Sequence, residues 1–115
     1  MAKYIRTKEK VYEVVEENER YYKCCYDDGC ITLAAKFDND VNGFSKALKT
    51  ADTINDLCDR FVLLERNLKP RIFETLKGAI NNKIYDDEVV YGAIWTDEGL
   101  IYIAKMNDKG ELELI

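Results

Sequence analysis

The sequence predicts a single α+β domain over residues 1–115, with antiparallel strands at both ends of the chain forming a sheet that packs against about two helices. Three observations carry that expectation. The N-terminal third and the last quarter are short β-prone stretches separated by turns. Two windows in the middle place apolar residues at helical spacing. Finally, 115 residues at 47% hydrophobic and 34% charged supply one core's worth of chain, with no repeat, linker or low-complexity tract.

Residues 4–7 and 11–16 read as strands around the charged turn Thr7-Lys8-Glu9-Lys10. Glu16-Glu17-Asn18-Glu19 is a polar reversal before 20–26, which Tyr21, Tyr22 and Tyr26 make β-prone. Asp27-Asp28-Gly29 closes a hairpin into 30–37, the glycine supplying the positive φ of a three-residue loop. There Ile31, Leu33, Ala35 and Phe37 alternate with Cys30, Thr32, Ala34 and Lys36, a period of two.

In the middle, Asp52 or Thr53 is suited to cap a helix whose face is Ile54, Leu57, Cys58 and Phe61, at i, i+3, i+4 and i+7. Phe61-Val62-Leu63-Leu64 fits either the end of that helix or a buried strand. A second helix, over 70–81, begins at Pro70 and carries Ile72, Phe73, Leu76, Ala79 and Ile80 as its stripe. Gly78 inside it costs about 1 kcal/mol relative to alanine and leaves its length open.

The C-terminal quarter is the clearest. Residues 89–96, 100–107 and 111–115 are β-branched and aromatic runs joined by Asp97-Glu98-Gly99 and Asp108-Lys109-Gly110, which specifies a three-stranded meander. In its last strand Leu112 and Leu114 face inward and Glu111 and Glu113 face water.

Charge and composition exclude several function classes. Seventeen Lys and Arg against 22 Asp and Glu give −5, which argues against direct nucleic-acid binding, since neutralising phosphates takes a cationic face. With no histidine, mechanisms that need an imidazole base, a His-ligated metal or a His pH switch are excluded. No apolar run approaches the ~20 residues of a membrane-spanning helix. Met1-Ala2-Lys3-Tyr4-Ile5-Arg6 enters charged sequence without a signal-peptide core, so the expectation is a soluble cytoplasmic domain. Cys24, Cys25, Cys30 and Cys58 then read as free, semi-buried thiols. Adjacent Cys24 and Cys25 on a strand would point to opposite faces and could not share a zinc ion.

The candidate motifs weigh little. Asp38-Asn39-Asp40-Val41-Asn42-Gly43 matches the first half of a calcium loop, but the twelfth position, where the cation needs a bidentate glutamate, is Lys49. Glu16-Glu17-Asn18-Glu19 and Asp86-Asp87-Glu88 could offer a carboxylate pair for hydrolysis, or an acidic face mimicking a nucleic-acid backbone. Solvated turns account for both runs more simply. Lys3, Arg6, Lys8 and Lys10 fit a solvated strand edge. No phosphate-binding loop, dinucleotide fingerprint or nucleophile elbow occurs, and no metal or cofactor is expected. Among eight tyrosines and one tryptophan, Tyr91, Trp95 and Tyr102 are candidates for one sheet face; uncovered, it would be an apolar patch suited to a protein partner.

Three stretches carry a resemblance: Lys3-Tyr4-Ile5-Arg6-Thr7-Lys8, Ala51-Asp52-Thr53-Ile54-Asn55-Asp56-Leu57-Cys58-Asp59, and Tyr91-Gly92-Ala93-Ile94-Trp95-Thr96-Asp97-Glu98-Gly99-Leu100-Ile101-Tyr102 running on to Leu114. Together they resemble a family of small proteins encoded by phages and prophages of low-GC Gram-positive bacteria. The region between 17 and 45 does not share in it. That family has no established activity or catalytic residues to carry over, so the resemblance implies context: a phage accessory protein in the bacterial cytoplasm. The expected function is non-enzymatic binding of a host or phage protein, with a homodimer compatible, through a sheet edge or the Tyr91/Trp95/Tyr102 face. The alternative is a small enzyme or ligand-binding domain with a carboxylate-lined pocket.

Overall fold

A computed structural model of the chain describes residues 3–25, 31–37, 43–65 and 69–115. Among the described residues 51% lie in strands and 9% are helical, with a single α-helix, which corrects the expected α+β class with about two helices. The protein is mostly β, and its strands form two antiparallel sheets instead of one. The chain divides into two compact units, 1–57 and 58–115, each built on one sheet.

In the first unit β1 (Tyr4–Arg6), β2 (Val11–Glu17), β3 (Tyr21–Cys25) and β4 (Ile31–Ala35) form a meander, and β5 (Lys49–Ala51) returns to pair with β1. Side chains close its first two turns. Thr7 Oγ1 accepts from the N–H groups of Glu9 and Lys10, and Asn18 Oδ1 from those of Arg20 and Tyr21. The expected Asp27-Asp28-Gly29 hairpin loop and the calcium-like run 38–42 lie outside the described residues.

The segment before β5 bonds both outer strands of the meander. Ala35 N–H donates to Ser45 O and Ala47 N–H to Ala35 O, each at 2.8 Å, and Leu48 N–H donates to Arg6 O at 2.6 Å. The sheet is thereby closed into a small barrel, with 45–48 covering the Ala35 end of β4 and the outer side of β1. Its interior holds Ile5, Cys24 and Ala34, with Tyr12, Val14 and Tyr22 packed around them. Register explains the choice: Ile5 opposes Tyr12, Val14 opposes Cys24, and Tyr22 opposes Ala34. The small residues sit inside, whereas Ile31, from the more apolar-looking face of its strand, is 55% exposed.

The helix expected over 53–61 does not form. A 3₁₀ turn at Asn55–Leu57 lies against β1 and β5, and Leu57 N–H donates to Ile54 O at 3.0 Å. Ile54, Leu57 and Phe61 are all buried, but as a turn followed by a strand; a window of eight residues does not separate that arrangement from a helix face.

The second unit contains β6 (Arg60–Leu64), β7 (Arg71–Phe73), α1 (Leu76–Asn81), β8 (Val89–Thr96), β9 (Gly99–Met106) and β10 (Leu112–Leu114), in sheet order β10-β9-β8-β6-β7. The helix expected over 70–81 shrinks to α1. Ile72 and Phe73 belong to β7, where they pair with Val62 and Phe61. Thr75 is the true cap, its Oγ1 accepting Gly78 N–H at 3.0 Å. α1 packs against β6 and β7 with Ala79 fully buried. The meander of β8, β9 and β10 forms where the turn residues place it, with Gly99 at φ 108° and Gly110 at φ 80°. Leu112 is buried and Glu113 exposed.

Candidate functional site

The aromatic face is built at the end of the sheet where β8 and β9 outrun β6. The β6 pairing stops with Arg60 opposite Ala93, while β8 continues to Thr96. There Asp59 takes over the role of the strand. Its N–H donates to Ala93 O at 2.8 Å, and its carboxylate accepts Trp95 N–H at 2.7 Å. At the tip, Thr96 Oγ1 donates to Gly99 O at 2.9 Å and accepts Glu98 N–H at 3.1 Å, which fixes the turn and leaves Asp97 and Glu98 exposed.

The register brings Tyr91, Trp95 and Tyr102 to one face. Trp95 opposes Leu100, Ala93 opposes Tyr102, and Tyr91 opposes Lys105. Tyr102 and Lys105 are three residues apart, which in a regular strand means opposite faces. The register shift beside Gly92/Ala93 absorbs the extra residue and restores a common face. The Tyr91 and Tyr102 rings stack with centroids 5.1 Å apart. Val62 and Ala93 on that same face are fully buried and both tyrosines are half-buried, whereas Trp95 is 49% exposed. Of the three aromatic side chains, Trp95 is therefore the accessible one.

The acidic runs resolve differently. Glu16 pairs with Lys23, and Glu17 with Lys3 and Lys36, whose hydrogen bonds hold the Glu17 carboxyl below the usual range. Glu88 is 3% exposed. Its Oε1 accepts the N–H groups of Ile84 and Tyr85 at 2.9 Å each, and its Oε2 pairs with Arg71. Burial alone would raise this carboxyl, but the Tyr85 and Ile84 amides and the Arg71 guanidinium outweigh it and hold it low. Glu88 lines a depression of about 360 Å³ with Lys83, Asp86, Asn107 and Asp108. A carboxylate committed to three bonds and held ionised is a poor proton donor near neutrality; it pins residues 84–85 and β7 together. Glu65 behaves oppositely, raised by burial and then by Asp87 and Glu88; among the described residues its buried Oε2 has no hydrogen-bond partner.

These opposite shifts fix opposite pH dependences. A lowered folded-state carboxyl contributes stability that is present above its ordinary value of 4.5 and is lost as pH falls through the lowered value. Glu88→Gln is expected to lower the urea midpoint at neutral pH and to flatten that acid limb. Glu65, being raised, opposes folding above its folded-state value, so Glu65→Gln is expected to raise the neutral midpoint. Two variants moving the midpoint in the same direction would refute the assignment.

The remaining candidates take no part. Cys24 is buried and its thiol is pushed up to about 11, which leaves it unreactive. Cys25 is half-buried, and Cys30 lies outside the described residues. Lys49, the residue that vetoes the calcium loop, donates to Asp56 O at 2.8 Å. Among the described residues no three Cys, Asp or Glu are placed to hold a metal. Two contributors escape sequence reading because their partners are distant: Arg71 lies 17 residues from Glu88, and Asp59 lies 36 from Trp95.

Compared with models of known families, with curated proteins and with solved structures, the chain matches none. Among the described residues no helix is long and apolar enough to cross a membrane.

Proposed function

We propose that the chain is a non-enzymatic binding protein that engages a protein partner through the Trp95 end of the Tyr91/Trp95/Tyr102 face. The observation that carries this is the half-exposed Trp95 indole on a hairpin whose backbone is fixed by Asp59 and Thr96. A rigidly mounted indole offers large contact area at little entropic cost on binding. A phage accessory role in the bacterial cytoplasm is supported by the resemblance carried by 3–8, 51–59 and 91–114. The pocket alternative draws on the depression at Glu88, but the buried carboxylate there already has its bonds, so it supports that reading less.

Affinity capture of the tagged chain from nuclease-treated lysate of a low-GC Gram-positive host, read by mass spectrometry, tests this. One stoichiometric protein is expected, and Trp95→Ala is expected to weaken its binding by about 2 kcal/mol or more, roughly 30-fold. A partner retained undiminished by Trp95→Ala would sink the reading.

A further inference from the structure

We infer that the partner segment received at the hairpin tip is cationic: a peptide stretch presenting arginine to the Trp95 indole and to the carboxylates of Asp97 and Glu98. This rests on the binding reading above and supplies the chemistry of the partner. The indole is 49% exposed, and Asp97 and Glu98 follow it on a turn held by Thr96. Asp59 adds a third carboxylate beside the Trp95 backbone. Among the described residues, Arg60 lies opposite Ala93 at this end of the sheet, and its guanidinium donates to Asp59 O at 2.6 Å. The exposed Asp97 and Glu98 give the turn the same sign as the chain's −5.

That combination discriminates by charge. Among aromatic side chains indole is the strongest acceptor of a cation over its face, and neighbouring carboxylates reinforce the attraction. Arginine fits better than lysine, because its planar guanidinium can stack on the ring while its N–H fork donates to a carboxylate. Leu100, opposite Trp95, offers apolar contact to an aliphatic neighbour of that arginine. An anionic partner, whether acidic peptide or nucleic acid, is repelled.

Trp95 is the chain's single tryptophan, so its emission reads the site directly. The probe is the capped peptide Ac-Gly-Arg-Leu-Arg-NH2, titrated against the full chain, with the Arg→Lys and Arg→Glu peptides beside it. A saturable change is expected with the arginine peptide, a weaker one with lysine and none with glutamate. Raising salt from about 0.05 M to about 0.3 M should weaken the arginine peptide several-fold by screening exposed charges. The double variant Asp97→Asn/Glu98→Gln, altered only at exposed turn positions, should weaken it at least about fivefold. No saturable response at millimolar arginine peptide, or a response indifferent to salt and to the double variant, overturns the inference. If the lysate partner is nevertheless lost with Trp95→Ala, the binding reading stands and only its cationic chemistry falls. If that partner survives Trp95→Ala, both fall.

Discussion

Gly92→Ala is expected to destabilise the second unit by about 1–3 kcal/mol, the usual cost of overpacking a well-filled core. Gly92 lies in the middle of β8, between Phe61 on β6 and Ala104 on β9. A β-carbon there would sit 2.6 Å from Cys58 Sγ, 3.4 Å from Leu112 Cδ1 and 3.5 Å from Ala104 Cβ. Two of those distances are tolerable, but the first is not. The ordinary bonus for replacing a strand glycine, about 0.5–1 kcal/mol, is too small to offset it. Because one atom causes the conflict, the cost should be reversible. In the Cys58→Ala background Sγ is gone, and adding Gly92→Ala is expected to cost little or to stabilise. A double-mutant cycle by urea denaturation, followed through Trp95 emission, should therefore give a coupling of about 1 kcal/mol or more. Additive losses would place the strain elsewhere than at Cys58.

The legible parts of the fold are those where a local pattern has one structural meaning. The β8–β9–β10 meander is of this kind: β-prone runs meet Asp-x-Gly turns, and Gly99 and Gly110 take up the positive φ those turns need. The barrel is not, because its closure depends on backbone bonds from 45–48, a stretch with no alternation, to Ala35 and Arg6. The helices fail for a different reason. Ile54, Leu57 and Phe61 are spaced for one helical face and are indeed buried, yet a 3₁₀ turn and a strand bury them equally well. At the site, Tyr91 and Trp95 share a face by simple alternation, and Tyr102 joins them because the Asp97-Glu98 turn sets Thr96 opposite Gly99 and so Ala93 opposite Tyr102; the register shift beyond them, which places Lys105 on that face, is not announced by the residues. Asp59 falls outside the Ile54, Leu57, Cys58 and Phe61 face of the helix that the spacing predicts. Its actual work, bonding Ala93 and Trp95 where β6 stops, requires the tertiary fold.

Leu63→Ala is expected to cost about 2–5 kcal/mol, and Val62→Ala a smaller but clear loss of about 1–3 kcal/mol, in line with the atoms each removes from a packed interior. The pair decides between the two meanings of Phe61-Val62-Leu63-Leu64. On the helix that the spacing predicts, the buried stripe is Ile54, Leu57, Cys58 and Phe61; Val62 lies at its i+8 margin and Leu63 falls on the opposite side, where truncation would change little. In the structure β6 is a central strand between β7 and β8, and its successive residues point to opposite faces. Val62 opposes Tyr91 on the aromatic face, Leu63 opposes Val90 on the other, and their exposures are 0% and 1%. Both truncations must then hurt, which no amphipathic helix would produce. Ile72→Ala, on the neighbouring edge strand but 54% exposed, is the control and should stay within about 0.5 kcal/mol of the parent. Losses at Val62 and Leu63 matching this control would return the segment to the helix end. Losses at both, measured as urea midpoints at constant slope, would establish β6 as the strand that sets the register of β8 and so holds Trp95 at the tip of its hairpin.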